Sequence, residues 1–207
     1  KTTRPQDLYQ ELIDFDKKKG YTDAAIYNEI LKAKYEYETS NDLEAYLNSL
    51  IKIKNDNLSN SIVTSVMALQ AEAILGQKSK QEALAICEEA IKLFPNSIGA
   101  KQCESIRSEI LQPELTFSMQ SVVLPNQKIN AKISYRNLTN PHYRIYKLEQ
   151  AELKEIDGRS IQDIVKTLLR KDYIVENVVD VPENKDYQEH SIDIKLPELE
   201  CGTYFIM

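Results

Sequence analysis

The spacing of apolar residues changes once along this chain, close to Pro113, and no other feature constrains the fold as strongly. Before that proline, apolar residues recur every three to four positions, which is the period of an amphipathic α-helix. After it, they alternate with polar residues, which is the period of a β-strand with one buried face. We therefore predict two domains of different class, residues 1–112 and residues 113–207.

The first domain carries about six helical stripes of apolar residues. Turn-forming residues separate the stripes, at Gly20, Ser40, Asn41, Asn55, Asp56, Asn57, Gly76, Pro95 and Asn96. Short turns between helices favour antiparallel helical hairpins. The stripes themselves comprise Leu8, Leu12, Phe15, Ile26, Ile30, Ala33, Leu43, Tyr46, Leu50, Ile62, Val66, Met67, Ala83, Cys87, Ala90, Ile98, Ile106 and Ile110.

The second domain carries about six predicted strands and one inserted helix. Alternation is clearest over residues 115–119, 129–135 and 192–196, and further strands are predicted near residues 143–148, 173–181 and 203–207. Between them, Ile161, Ile164 and Leu168 recur with helical spacing, so one helix interrupts the sheet region. Strands of this length with one buried face predict an antiparallel β-sheet domain.

Residues 64–97 resemble a tetratricopeptide repeat. Ala83, Cys87, Ala90 and Pro95 follow the pattern of its second helix, although the tryptophan and the Leu-Gly pair of its first helix are absent. Small residues let two helix backbones approach closely, and Pro95 ends the second helix because it cannot donate to the preceding turn. Two roles stay open, a groove that binds an extended peptide and a helical spacer whose faces simply pack together.

Charge and composition exclude several classes of function. The net charge of −6 and the pI of about 5.1 argue against nucleic-acid binding and against docking on an anionic lipid surface. The chain has no apolar run of the roughly 18 residues that a membrane span needs. Its two histidines lie far apart, which disfavours a metal site built on histidine.

The three cysteines form no metal-binding or redox motif, because no two of them are separated by two residues. Cys87 and Cys103 fall on consecutive predicted helices on either side of a turn, so they could face each other. We expect a reduced pair, with a disulfide as the less favoured alternative. Cysteine usage leaves the cellular compartment open.

No residues form a recognisable catalytic constellation. Cys201-Gly202 resembles the start of a macroglobulin thioester, but that chemistry needs a glutamine two residues after the glycine, and Tyr204 stands there. His190 beside Glu189 is interpreted as a surface residue. Asp14 with Asp16 and Glu88 with Glu89 are interpreted as solvated helix faces. We therefore predict no enzyme activity and no catalytic, cofactor-binding or metal-binding residues.

Tyrosines concentrate in the helical domain, at positions 21, 27, 35, 37 and 46. A tyrosine pairs an apolar ring with a polar tip, so such residues could line a ligand surface. At helical spacing we favour packing between helices.

Several short segments, in this order, resemble the N-terminal region of bacterial alpha-2-macroglobulins of the Bacteroidetes type. The segments are residues 83–91 (ALAICEEAI), 94–97 (FPNS), 113–115 (PEL), 135–138 (YRNL), 143–147 (YRIYK), 186–191 (DYQEHS), 196–199 (LPEL) and 202–204 (GTY). In the closing segments, Pro197 and Gly202 suit a turn between strands, and we expect Gly202 to take the positive φ that glycine tolerates.

The resemblance implies a multidomain α+β protein in which TPR-like helical hairpins precede a macroglobulin-type, immunoglobulin-like β-sandwich. It further implies a periplasmic or cell-envelope protein that traps proteases, with the proteases and other domains of the same chain as partners. The first residue is not Met and the last residues are apolar, so we expect a fragment of a longer protein. The family's sandwich has seven strands and about six are predicted here, so the resemblance implies that the fragment ends one strand short. The strand at residues 203–207, or its neighbour, would then have an open edge or pair with another chain.

Two other functions stay open. The first is a TPR-type adaptor that binds peptides and carries an accessory β-sandwich. The second is a carbohydrate-binding sandwich, for which the sequence offers scattered tyrosines and no aromatic platform.

Overall fold

A computed structural model describes residues 4–77 and 79–207 of the chain. The described residues form eight helices and two small antiparallel sheets of three strands each, so the predicted α+β class is confirmed. The chain divides into two compact units, Lys1–Gln112 and Pro113–Met207.

The first unit consists of six helices joined by short turns. They are α1 (Pro5–Lys19), α2 (Thr22–Ser40), α3 (Leu43–Asp56), α4 (Val63–Gly76), α5 (Lys80–Leu93) and α6 (Ile98–Leu111). Local chemistry fixes their ends. Helix α1 begins at Pro5 and ends before Gly20, which has a φ of 75°. The side chains of Asp42 and Ser97 accept hydrogen bonds from backbone N–H groups in the first turns of α3 and α6.

Successive helices of this unit pack on one another, and α4 contacts both α5 and α6. Ile26, Ile30, Tyr46, Leu50 and Val66 belong to one buried cluster that joins α2, α3 and α4. The stripe predicted for α1 does not pack in this way: Leu8, Leu12 and Phe15 are about half exposed. Helix α1 packs on α2, and the residues that it buries, Ile13 and Asp16, lie on a face beside this stripe. Ile98, also predicted to be buried, is 76% exposed.

Helices α4 and α6 meet closely at their N-terminal ends. The Thr64 and Ser97 hydroxyls lie 2.8 Å apart, and each also contacts a backbone carbonyl of its own turn. Gly99 packs directly on the backbone of α4, since a Cβ at this position would lie 2.1 Å from the nitrogen of Ser65. Only glycine fits this contact without movement of the backbone.

The second unit contains six strands and two helices. They are β1 (Glu114–Met119), β2 (Ile129–Arg136), β3 (His142–Leu148), α7 (Gln150–Ile156), α8 (Ile161–Leu168), β4 (Val175–Val178), β5 (His190–Leu196) and β6 (Thr203–Ile206). One sheet has the strand order β1-β2-β5 and the other the order β4-β3-β6, and every pairing is antiparallel.

The two sheets contribute to one hydrophobic cluster. Alternate residues of β2 supply its centre, and Ile145 joins it from β3. The members from β2 are Ile129, Ala131, Ile133 and Tyr135. Tyr146 and Leu148, which follow Ile145 in β3, face the other way. They are buried with Leu168 of α8, and side chains of α7 pack against the same residues. Strand β3 is therefore covered on both faces.

Three predictions for this unit have different outcomes. The structure has two helices between β3 and β4 where one was predicted, because α7 is only seven residues long and shows too little periodicity. Gly202 does not have a positive φ, whereas Gly158 does, with a φ of 73°. Strand β6 lies at the edge of its sheet and pairs only with β3 among the described strands, as predicted.

Candidate functional site

A polar groove crosses the first three helices, and we call it the α1–α3 groove. Ile13, Ala33 and Ile53, one from each helix, are buried along it. Its volume is about 240 Å³. The polar lining consists of Gln10, Lys17, Glu29, Lys32, Glu36, Ser49, Lys52 and Asp56.

Charges of both signs line this groove, and some of them pair within it. Lys17 Nζ lies 2.6 Å from Glu29 Oε1, and this hydrogen bond raises the pKa of Lys17. Lys32 donates to Gln10 Oε1 at 2.9 Å. Lys52 of α3 also lines the groove. The groove therefore combines an apolar floor with charged side chains of both signs.

A second groove lies between α2, α3 and α4 and contains a stacked tyrosine pair. The rings of Tyr37 and Tyr46 are 4.8 Å apart and nearly parallel, at 13°. Tyr46 is buried, and burial is the main reason that its pKa is raised. This pair therefore packs helices together, in line with the favoured interpretation. Tyr21 and Tyr27 are more than half exposed and pack less.

His190 pairs with Asp186 and not with its sequence neighbour Glu189. Its Nε2 lies 2.9 Å from Asp186 Oδ1, and its ring is 6.0 Å from that of Tyr135. The hydrogen bond with His190 is the main cause of a lowered pKa for Asp186, and the backbone N–H of Gln188 adds to it. No nucleophile lies among these contacts, so the pair fixes the loop before β5.

Asp16 is not a solvated residue, which corrects the interpretation of its helix face. It is 8% exposed, and its Oδ2 accepts a hydrogen bond of 2.8 Å from Asn28 of α2. Asp14 is exposed and accepts from Gln10. Glu88 and Glu89 lie on α5, where Glu89 is 3.6 Å from Lys54. None of these carboxylates meets another in the manner of a catalytic pair.

The cysteines occupy two different environments. Cys87 and Cys103 are fully buried on α5 and α6, and the interaction with Cys103, followed by burial, raises the pKa of Cys87. Cys201 is exposed in the turn before β6. All three are free thiols in this structure.

A charged cluster on β3 and β4 was not found from the sequence. Arg144 Nε donates to Glu176 Oε1 at 2.7 Å, and the guanidinium carbon lies 4.9 Å from the ring centroid of Tyr173. Tyr173 also donates to Glu176, at 3.0 Å. Hydrogen bonds from Arg144 and Tyr173 lower the pKa of Glu176. Since Arg144 and Glu176 are paired residues of neighbouring strands, the cluster stabilises the sheet.

Residues 4–77 and 79–207 contain no group of three or more His, Cys, Asp or Glu side chains that could hold a metal ion. None of the helices described here combines the length and apolarity that crossing a bilayer requires. Comparison of the chain with protein-family models, with characterised proteins and with solved structures finds no match.

Proposed function

We propose that this chain is a non-catalytic part of a bacterial cell-envelope macroglobulin, acting as a structural and interaction module of a protease-trapping inhibitor. The observation that carries the proposal is the second unit, in which two three-stranded antiparallel sheets contribute to one hydrophobic cluster. Such an arrangement is what a macroglobulin-type, immunoglobulin-like sandwich requires. The ordered sequence segments that resemble this family supply the second support.

The first unit fits the helical hairpins of a TPR-like repeat. Ala71, Ala83 and Ala90 are completely buried, as close approach of the helix backbones requires. Gly99 extends the same close packing to the contact between α4 and α6. Three stacked helix pairs are about the number that a repeat array needs for a continuous core. In the proposed protein this unit presents the sandwich and packs against other domains of the same chain.

The proposed function places no chemistry on these residues. The role is mechanical: rigid units position the parts of a larger protein that meet the protease. Periplasmic or cell-envelope localisation and proteases as partners belong to the same proposal and derive from the family resemblance.

The proposal is tested on the full-length protein from which this chain comes. Its coding sequence is expected to contain repeated sandwich domains after this one. Incubated with a protease, the full-length protein should block cleavage of a large protein substrate while leaving cleavage of a small chromogenic peptide intact, because a trapped protease keeps a free active site. Loss of both activities, or of neither, contradicts trapping.

A second candidate, a peptide-binding adaptor, is favoured by the α1–α3 groove. Its apolar floor and mixed charges suit an extended peptide. A library of unstructured peptides can be screened against the chain, and any peptide bound should lose affinity in the Lys52→Glu variant. Lys101→Glu on α6, which does not line the groove, is the matched control. Equal loss in both variants would exclude the groove as the binding site.

A further inference from the structure

The groove between α2, α3 and α4, which we call the α2–α4 groove, is the larger of the two grooves described for the first unit. Its volume is about 540 Å³, against about 240 Å³ for the α1–α3 groove. This volume falls within the usual range of ligand pockets, roughly 300–1,000 Å³. Small residues leave the space on the α4 wall. Ala73 lines the groove, and nothing lies within 4 Å of the position that a Cβ on Gly76 would take.

The hydroxyl of Tyr46 has no partner in this groove. Tyr46 is 7% exposed and lines the groove from α3. Among the residues that the structure describes, none forms a hydrogen bond with this hydroxyl. Unlike the hydroxyl of Tyr146, it is not sealed from solvent, so it faces the groove. A buried tyrosine hydroxyl usually has a partner, and this oxygen can accept a hydrogen bond from a donor that enters.

Two carboxylates line the groove from different helices, Glu38 from α2 and Glu72 from α4. Both are exposed, and within the described part of the chain neither takes part in an ion pair or a side-chain hydrogen bond. Lys34 is the cation of the lining, so two carboxylates and one ammonium leave a charge of −1. Burial is the main cause of the raised pKa of Tyr46, and the charges of Glu72 and Glu38 add to it. The groove is therefore an acidic environment.

An aromatic surface completes the groove. The ring of Tyr37 stacks on that of Tyr46, with 4.8 Å between the centroids and an angle of 13°. Tyr37 lines the groove and is half-buried, so part of this aromatic pair is accessible. The face of a tyrosine ring attracts cations, and arginine does so more often than lysine.

We propose that the α2–α4 groove binds a guanidinium group, such as the arginine side chain of a partner, in a role separate from protease trapping. A guanidinium is planar, so it stacks on a tyrosine ring, and its five N–H donors spread in a fixed fork. Those donors suit carboxylates on two walls together with the oxygen of Tyr46. The net charge of −6 also attracts a cationic partner.

The experiment uses nuclear magnetic resonance on the full chain with ¹³C-labelled tyrosines. The first probe is acetyl-arginine amide, and the second is the pentapeptide acetyl-Gly-Ser-Arg-Ser-Gly-amide. We expect the ring signals of Tyr37 and Tyr46 to shift and to saturate with a Kd of about 1 mM or tighter. Equal binding of both probes supports recognition of the guanidinium alone, and tighter binding of the pentapeptide supports a peptide partner. No shift with either probe would overturn the proposal.

Citrulline provides the matched control ligand, because it has the size and shape of arginine without its charge. The pentapeptide with citrulline in place of arginine should bind about tenfold more weakly, since charge-assisted hydrogen bonds are stronger than neutral ones. Equal affinity of the two pentapeptides would show that the groove does not recognise the charge.

Substitutions in the groove test which groups recognise the arginine pentapeptide. Glu72→Gln removes one carboxylate charge and should weaken binding about fivefold. Tyr46→Phe keeps the stacked ring but removes the accepting oxygen, so it should weaken binding as well. Glu104→Gln, at an exposed position of α6 outside the groove, should leave the affinity unchanged. The same affinity in Glu72→Gln and Glu104→Gln would contradict the proposed site.

Lys34 allows a test of the opposite sign. Because its ammonium repels a bound guanidinium, Lys34→Gln should tighten binding of the arginine pentapeptide about twofold. A loss of affinity, or no change, would contradict an electrostatic role for this groove.

Filling the groove supplies the last test. Gly76→Leu adds a side chain where the surroundings are open, so the chain should still fold and should lose binding of the pentapeptide. Gly76→Ala adds a single methyl group and should retain binding. Circular dichroism verifies that both variants are folded. Unchanged binding in a folded Gly76→Leu variant would place the ligand elsewhere and overturn the proposal.

Discussion

Among single residues, Gly99 and Gly76 differ in what surrounds them although both lie in helices. A methyl group on Gly99 would overlap the backbone of Thr64 and Ser65, whereas nothing lies within 4 Å of the same position on Gly76. Backbone atoms cannot move aside as a flexible side chain can. Gly99 therefore permits close packing of two helices, whereas Gly76 is the last residue of its helix.

We expect Gly99→Ala to lower the free energy of unfolding of the first unit by about 3 kcal/mol, the upper end of the usual range for overpacking. Gly76→Ala, the matched control, should be neutral or should stabilise by up to about 1 kcal/mol, because alanine favours helix over glycine. Urea denaturation followed by circular dichroism measures both changes. Equal stability of the two variants would show that α4 and α6 do not approach this closely.

The pair formed by Asp186 and His190 makes stability depend on pH. The folded-state pKa of Asp186 is lowered, so its contribution is fully present above the ordinary carboxyl value of 3.8 and is lost as the pH falls through the lowered value. Asp186→Asn should therefore melt below the wild type at pH 5, and the difference should shrink towards pH 2. Glu189→Gln, at an exposed neighbouring position, should match the wild type at both values. Thermal melts across this range measure the effect, and a constant difference would contradict the assignment.

Among the helices and strands, α7 and α8 form the outer cover of the β4-β3-β6 sheet. Leu168 of α8 is 2% exposed and packs with Tyr146 and Leu148 of β3, whereas Ile161 of the same helix is 66% exposed. The backbone N–H of Glu149 donates to Glu152 at the start of α7, and Lys171 after α8 also donates to Glu152. The two helices are thereby linked to each other as well as to the sheet.

We expect Leu168→Ala to destabilise the second unit by about 3 kcal/mol, because it removes buried methyl groups and leaves a cavity. Ile161→Ala on the same helix should change stability by less than about 0.5 kcal/mol, since the side chain is already in solvent. Chemical denaturation of both variants tests the packing of α8. A similar loss of stability in both variants would mean that Leu168 and Ile161 do not differ in burial as described.

Across the full chain, each unit has hydrophobic clusters of its own. Units with separate cores can unfold separately. We expect Gly99→Ala to shift only the unfolding of Lys1–Gln112, and Leu168→Ala to shift only that of Pro113–Met207. Hydrogen exchange read out on peptides from each unit, at increasing urea concentration, separates the two transitions. If either variant lowered the unfolding midpoint of both units equally, the chain would have a single cooperative core, and the two-unit description would be wrong.

Much of the element order could be predicted from the sequence, because periodicity is a local property. Four helices end at or directly before a predicted break, at Gly20, Asn41, Asn57 and Gly76. Helix α5 ends at Leu93, two residues before Pro95. The strand predicted at residues 129–135 is β2, Ile129–Arg136, with alternate residues buried. Helix α7 was missed since seven residues give barely two turns, and the helix has no buried residue to mark a stripe.

The candidate sites could be predicted less well. Glu189 stands beside His190 in the sequence, but alternation along an extended chain points neighbouring side chains apart, and the loop before β5 brings Asp186 to the histidine instead. Nothing local indicates that Arg144, Tyr173 and Glu176 meet, since Arg144 precedes the other two by about 30 residues.

Local spacing alone was enough to predict the class of each unit and the position of most helices and strands, because each depends on residues a few positions apart. The tertiary structure decides which faces are covered. Leu8, Leu12 and Phe15 remain about half exposed, Asp16 is buried beside Asn28, and Gly99 packs on the backbone of α4. Burial depends on which other element packs on a surface. The periodicity of a helix or strand identifies its apolar face, but it does not identify the element that covers that face.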